Sequence, residues 1–365
     1  MKKKMLIYGA GAIGRGFMPW VFPPSEFLYY FVEINPHIRQ LLNHRKKFQT
    51  LKTVGGAYET RGVVAEYCYA PDEDCTITPA VDVVVLAVGP RNVLSLSENL
   101  KNITVPIICA ENDASVPKLV TSMTRNKNAV FAIPDVITSN TAPPEILTHD
   151  PLTTVSEDGV CYIDERVSYL GGNATYVSSE TLEKEWKAKL YLHNTPHCIA
   201  AYLGSFVGAL YIHEAMQFPK VRAVVAGSMN EMRAMLLKHF QLDEQFVNWY
   251  AEKELKRFSN ALLCDPVSRV AREPFRKLAP NERLIGAAEL CLGSGIIPEH
   301  IMIGIMAAFY YNNSGDNDSN IQYLVRALEP KDFLKVVMQL GENEALGNLL
   351  CDRWNGNLAT ITNMK

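Results

Sequence analysis

Residues 81–88 read VDVVVLAV, an apolar and mostly β-branched run without alternation. A strand with one wet face alternates apolar and polar side chains. A strand covered on both faces does not, so this segment calls for a parallel sheet sandwiched between helices. Met5–Tyr8, Leu28–Ile34 (LYYFVEI), Val105–Cys109 and Ala129–Ile133 are further short apolar runs of the same kind. Together they predict a doubly wound α/β domain in the first half of the chain. Its first crossover helix falls in 17–27, where Pro19, Pro23 and Pro24 predict a short and irregular one.

The character changes after residue 152. Thr153–Val155, an Asp158-Gly159 turn and Val160–Ile163 read as a β-hairpin, and Gly171-Gly172 marks another turn. This predicts an antiparallel extension of the sheet. From Ser179, taken as a helix cap, the pattern is almost wholly helical, with helices starting near Pro219, Asp243, Asn281, Pro298 and Pro330. A length of 365 residues suits two domains, placed at 1–178 and 179–365. The polar stretch Asn312–Asn320 reads as an exposed loop.

Bulk properties exclude several classes. The chain is 48% hydrophobic and 21% charged, with a formal net charge of -3, so no electrostatic case exists for nucleic acid or an anionic membrane. Three lysines before Met5–Tyr8 imitate a signal peptide, but the apolar run ends at Gly9. No run approaches the roughly 18 apolar residues of a membrane span. A cytoplasmic chain is expected. The eight cysteines are scattered without a CxxC pair, as buried reduced thiols would be.

Gly9-x-Gly11-x-x-Gly14 directly follows the first strand and opens a helix, with Glu33 lying 19 residues past Gly14 at the end of the second strand. Glycines at that turn let backbone, including Ala12 and Ile13, approach a pyrophosphate at a helix N-terminus, and an acid at that strand end accepts hydrogen bonds from a ribose. The expectation is a Rossmann-type domain binding NAD rather than NADP, because a carboxylate repels a 2′-phosphate. His37 and Arg39 are the nearby cations that would soften this preference. Val88 and Gly89, past the 81–88 strand, should also face the cofactor.

The second half contains KLYLHNTPHCIAAYLG at 189–204. At about 100° per residue, Lys189, His193 and His197 fall in one stripe, with Asn194 on the same side. Pro196 removes a donor and disfavours helical geometry at Thr195, which predicts a break or kink between Asn194 and His197 with Thr195 capping the second segment. Oxidising an alcohol requires a base for the hydroxyl proton and donors for the growing alkoxide. Lys189 can be that base if burial or like charge lowers its pKa by about 2–3 units. Asn194 can donate to the oxyanion and His197 can orient a hydroxyl. A snorkelling surface lysine is the structural alternative for Lys189. His193-x-x-x-His197 has zinc spacing, but the glutamate of HExxH is replaced by Asn194, so no metal is expected.

GAGAIGRGF at the N-terminus, AEN at 110–112, the Lys189-x4-Asn194-x2-His197-x4-Tyr202-Leu203-Gly204 element, VRAVVAGSMNE at 221–231 and REPFRKLAPNERLI at 272–285 resemble, in this order, the polyol-specific long-chain dehydrogenases. The resemblance implies a metal-independent, NAD-dependent alcohol dehydrogenase with Lys189 as base, Asn194 and Asn112 contacting the oxyanion, and His197 binding substrate. One departure is that the family's Asp-Arg-Ile/Val pattern is absent here, where the chain reads Ile133-Pro134-Asp135-Val136. A second is that Asp113-Ala114-Ser115 follows the Glu-Asn pair. His193 matches no family role and is assigned to packing or support.

Arg269, Arg272, Arg276, Lys277 and Arg283 place five cations in 15 residues. They suit a sugar phosphate, with Arg269 and Arg272 expected nearest the substrate, or else structural salt bridges. The leading expectation is oxidation of a sugar alcohol phosphate. The runner-up is a family member acting on a free polyol or hexuronate, and a relative of 6-phosphogluconate dehydrogenase is a related enzyme reading. An NAD-binding regulator or a Rossmann methyltransferase would have no need of the Lys189 set. The sequence sets no oligomeric state and is compatible with a monomer.

Overall fold

The structure, a computed structural model, describes residues 1–73, 81–313, 315–316, 320–340 and 345–365; Cys75 and part of the expected 312–320 loop lie outside them. The chain divides into two compact units, Met1–Trp186 and Lys187–Lys365. The boundary falls inside the helix Ser179–Ala188, because Leu182 and Trp186 pack on Phe131 and Ile133 of the sheet. Phe131 and Trp186 meet edge to face with centroids 5.3 Å apart. Ser178, not Ser179, caps this helix: its hydroxyl accepts from the Thr181 amide at 3.2 Å.

The first unit is an α/β domain of eleven described strands: β1 (Lys3–Tyr8), β2 (Phe27–Val32), β3 (Lys47–Val54), β4 (Ala57–Tyr69), β5 (Val83–Leu86), β6 (Ile107–Cys109), β7 (Ala129–Asp135), β8 (Thr138–Ser139), β9 (Thr154–Glu157), β10 (Val160–Asp164) and β11 (Thr175–Val177). They form one sheet in the order β11-β10-β7-β6-β5-β1-β2-β4-β3-β9-β8. The strands from β4 through β2, β1, β5 and β6 to β7 run parallel, as the apolar runs required. The unbroken VVVL run is explained by its two faces: Val83 and Val85 enter one core cluster with Ile7 and Ile108, while Val84 and Leu86 enter the other with Leu6 and Ile107.

The expected hairpin at 153–163 does not exist. β9 pairs with β3 and β8, whereas β10 pairs with β7 and β11. An Asp-Gly hairpin turn needs a positive φ at the glycine, and Gly159 is not among the positive-φ glycines. The glycine serves close approach instead: a Cβ there would lie 2.6 Å from the Asp135 carbonyl oxygen. β9 and β10 therefore act as one bent strand laid antiparallel along β8 and β7, which makes an antiparallel extension of a different kind. A true two-residue hairpin lies elsewhere, between β3 and β4, where Val54 pairs with Ala57 across Gly55 and Gly56, both at positive φ.

The second unit is helical. Its main helices are Thr195–Val207, Pro219–His239, Glu244–Phe258, Ile285–Gly293, Glu299–Phe309 and Trp354–Thr362. Thr195–Val207 is the central one, packed against Pro219–His239, Val267–Ala271 and Glu299–Phe309. Ile199, Tyr202 and Leu203 are fully buried, and burying each large apolar side chain contributes about 1.5–3 kcal/mol. Gly304 permits the crossing with Glu299–Phe309, since a Cβ there would sit 2.5 Å from Ile199. Among the described residues no helix is long and apolar enough to cross a membrane.

The role of Gly159 is open to measurement. Gly159→Ala should cost about 1–3 kcal/mol through overpacking, read as a lowered Tm. Gly62→Ala, on β4, where a Cβ meets nothing within 4 Å, should leave Tm unchanged or raise it. Equal effects of the two substitutions would refute the close-approach account.

Candidate active site

In the first unit, the turn after β1 is shaped by contacts that only glycine allows. Gly9 has φ +93°, and a Cβ there would lie 2.3 Å from the Ala87 carbonyl oxygen. A Cβ on Gly14 would lie 2.0 Å from the Gly9 carbonyl oxygen, so this glycine closes the helix onto the strand. Gly11 meets nothing within 4 Å, which leaves its backbone face open to a ligand. Ala12–Phe17 then forms one π-helical turn, followed by the α-helical turn Met18–Val21. The helix is short and irregular as expected, but it spans Ala12–Val21 rather than 17–27 and ends before Pro23 and Pro24; Ala12 and Ile13 supply its first-turn amides, which lack intrahelical acceptors.

Glu33 joins this turn to the end of β2. Its carboxylate accepts from the Ala10 amide and from the Asn35 amide, each at 2.8 Å. A carboxylate has about four acceptor positions, so capacity remains for ribose hydroxyls. Arg39 donates to the main-chain carbonyls of Glu33 and Ile34 at 2.9 Å. The residues present therefore fit a dinucleotide: bare backbone at Gly11, a helix N-terminus, and an acid at the neighbouring strand end.

Val88 and Gly89, past β5, are held from below by a group sequence reasoning did not single out. Glu111, at 4% exposure, accepts from the Val88 amide at 2.7 Å and from the Gly89 amide at 3.0 Å. Burial pushes its carboxyl up to about 7, with Asp113 adding to the rise and the two amides opposing it. Asn112, the next residue, follows β6 at the carboxyl edge of the parallel strands.

In the second unit, Lys189, His193, Asn194 and His197 are all buried, at 5–8% exposure. Lys189 is therefore not a snorkelling surface lysine. The expected break at Pro196 is absent. Asn194 and Thr195 keep right-handed helical angles, and the chain runs from α-helix through a π-helical turn, Lys189–Asn194, into Thr195–Val207. The Thr195 amide reaches back to the Leu190 carbonyl, five residues away, so an extra residue in one turn absorbs what Pro196 disturbs. Thr195 does not cap. Its hydroxyl donates to the Arg283 carbonyl at 2.7 Å.

Both histidines are paired with buried acids that the sequence had not marked. His193 Nδ1 lies 2.5 Å from Glu254 Oε2, and His197 Nε2 lies 3.0 Å from Asp265 Oδ2. Their rings are 4.9 Å apart, and His197 stacks on Phe258 at 5.0 Å. Arg269 donates to Asp265 through Nε at 2.8 Å and Nη2 at 2.5 Å, so it is tied to His197 through that carboxylate. Arg272, by contrast, is exposed at the end of Val267–Ala271. Lys277 is buried beside Tyr202 with its ammonium on the Val270 and Arg272 carbonyls; burial, with Arg283 adding, pushes it down to about 7. Asp265 and Arg269 are an i,i+4 pair readable from sequence, whereas nothing in the sequence pointed from His193 to Glu254. Among the described residues no group of three or more His, Cys, Asp or Glu is placed to hold a metal ion.

Burial pushes the Asp265 carboxyl up, but Arg269 and His197 outweigh it and hold it at about 2. A depressed carboxylate stabilises the fold above its unfolded pKa and loses that contribution as pH falls through the folded value. Asp265→Asn should therefore cost roughly 2 kcal/mol at pH 7, and the Tm gap to wild type should close between about pH 4 and pH 2. A gap independent of pH would show that the charge is not what matters.

Comparison with known proteins places the chain in a family. The family model for the mannitol dehydrogenase Rossmann domain matches residues 3–107, and that for the mannitol dehydrogenase C-terminal domain matches 183–344. Mannitol-1-phosphate 5-dehydrogenase of Caldanaerobacter subterraneus subsp. tengcongensis is 29% identical over 368 residues, covering 94% of this chain and 95% of the relative. The enzyme of the same name from Thermoanaerobacter pseudethanolicus is 29% identical over 370 residues, with 94% and 95% covered. Among solved structures, Pseudomonas fluorescens mannitol 2-dehydrogenase, in ternary complex with NAD and D-mannitol, has the same fold with a TM-score of 0.77 at 15% identity, covering 99% of this chain and 94% of that one. A substrate-free D-sorbitol dehydrogenase gives a TM-score of 0.64 at 14% identity, covering 99% and 92%. The chain belongs to the mannitol dehydrogenase family and is an NAD-dependent polyol dehydrogenase.

Proposed function

We propose that the protein reversibly oxidises a sugar alcohol phosphate, of the type mannitol 1-phosphate to fructose 6-phosphate, with Lys189 as general base. The observation that carries this reading is the buried Lys189–Asn194 turn, with His197 held beside it against Asp265. The phosphate rests on the name shared by the two relatives, both matched over nearly the whole chain.

NAD, when bound, accepts the hydride. Gly9, Gly11, Ala12, Ile13 and Gly14 cradle its pyrophosphate, Glu33 takes its ribose, and Val88 and Gly89 line its path. Lys189 removes the proton of the hydroxyl being oxidised. Asn194 and Asn112 donate hydrogen bonds to the oxygen as negative charge grows on it. Such donors act because they are fixed before the charge develops. His197, its ring set by Asp265 and Phe258, orients the substrate. Arg269 and Arg272 hold the phosphate end, Arg269 while pinned by Asp265.

NADH formation with a panel of polyols and their phosphates tests the substrate. Turnover of mannitol 1-phosphate is expected, and turnover of free polyols alone would defeat the phosphate assignment. Lys189→Ala should lose about 10²–10⁴-fold in kcat at neutral pH; retention of most turnover would defeat the base assignment. Arg272→Ala should raise KM for the phosphorylated substrate by roughly 10-fold or more, as loss of a charge-assisted hydrogen bond does, while KM for NAD stays put.

A further inference from the structure

His193 has no part in the mechanism above, yet it is built into the structure with care. We propose that His193, locked by Glu254, is a positioning residue that holds the Lys189–Asn194 turn in its reactive geometry. The inference rests on the functional reading just given and adds a residue pair to it.

Glu254 is 0% exposed on the Glu244–Phe258 helix. A carboxylate taken fully out of water is tolerated only with partners, and removing one leaves an uncompensated charge. Its partners are His193 at 2.5 Å, Arg257 Nη1 at 2.5 Å and Lys253 Nζ at 3.4 Å. Arg257 and Lys253 lie on its own helix. The contact to His193 reaches across to the π-helical turn and, with the packing of His193 on Phe258, ties this helix to it. It also fixes which imidazole nitrogen faces the carboxylate, and so fixes the ring's orientation.

The ring is then wedged. It lies 5.6 Å from Phe258, one helical turn beyond Glu254, and 4.9 Å from His197, which stacks on the same Phe258. π-helical turns are rare, occur mostly as single bulges inside α-helices and are frequent at functional sites. Here the turn begins with Lys189 and ends with Asn194, with His193 between them on the same stripe as the lysine. Fixing His193 therefore fixes the relative angle of base and oxyanion donor. Misplacement by about 1 Å can cost 10²-fold in rate without loss of binding.

The test compares wild type, His193→Asn, Glu254→Gln, the double variant, Glu254→Asp and Lys189→Ala, using NAD and mannitol 1-phosphate or whichever substrate the panel identifies. Both single variants should lose about 10- to 100-fold in kcat, with NAD affinity by fluorescence quenching unchanged and with a larger primary deuterium isotope effect as chemistry becomes limiting. The double variant should be no worse than the poorer single one, because the two residues act as a unit, and Glu254→Asp should recover part of the loss. Multiplying losses, or a kcat within twofold of wild type in folded variants, would overturn the inference while leaving the lysine mechanism standing. An active Lys189→Ala would overturn that mechanism and this inference with it. If Glu254→Gln fails to fold, His193→Asn and His193→Gln carry the same comparison.

Discussion

Burying a polar helix face in an apolar core has a cost, and the second unit is organised around meeting it. Lys189, His193, Asn194, Thr195 and His197 all lie within the core of the helical unit. Each polar group taken from water must find a partner or forfeit about 1–3 kcal/mol. Thr195 finds the Arg283 carbonyl and His193 finds Glu254, while His197 Nε2 stands 3.0 Å from Asp265 Oδ2 in a close contact that lacks hydrogen-bond geometry. Those acids are in turn answered by Arg257, Lys253 and Arg269. The charges thus form shells: imidazoles innermost, carboxylates behind them, and arginines outermost. An arrangement this expensive is hard to explain as packing alone, since Leu or Phe at the same positions would fill the space without it.

The same shells explain why the helix does not break at Pro196. A broken helix would expose amides and carbonyls in the middle of the core, where no water can reach them. One π-helical turn keeps the backbone bonded and places the extra residue in the Lys189–Asn194 stretch, to which the proposed function assigns the base and an oxyanion donor. Pro196 lacks the amide that would continue this backbone bonding, and the π-helical turn directly before it accommodates the missing bond. The first unit uses a π-helical turn in a comparable place, directly after Gly11.

Much of the first unit was legible in sequence because its signals are local. Doubly apolar strands, the glycine turn and the acid at the end of β2 depend on residues within a few positions of one another. The hairpin at Asp158-Gly159 misled because an Asp-Gly pair has two uses, a positive-φ turn and a close approach, and only the tertiary neighbour at Asp135 decides between them. The real hairpin at Gly55-Gly56 was equally local and was passed over. In the second unit the stripe of Lys189, His193 and His197 could be read from periodicity. Glu254 could not: it lies 61 residues from His193, and no pattern in sequence links them. Glu111 was in view within the AEN motif, but its hold on the Val88 and Gly89 amides follows only from the adjacency of β5 and β6.

Arg269 shows how the structural and functional readings of a charge cluster need not compete. It is bound to Asp265 by two hydrogen bonds, as the salt-bridge alternative would have it. A guanidinium has five donors, and two bonds to one carboxylate leave others on the far edge. A pinned arginine is also a better anion receptor than a mobile one, because its rotamer entropy has already been surrendered on folding. On the proposed function Asp265 would then join two jobs, standing against His197 and presenting Arg269, so that the group proposed to orient the sugar and one proposed to meet its charged end are held by one carboxylate. That coupling would make selectivity for a phosphorylated substrate and correct alignment at the reacting carbon properties of the same buried carboxylate.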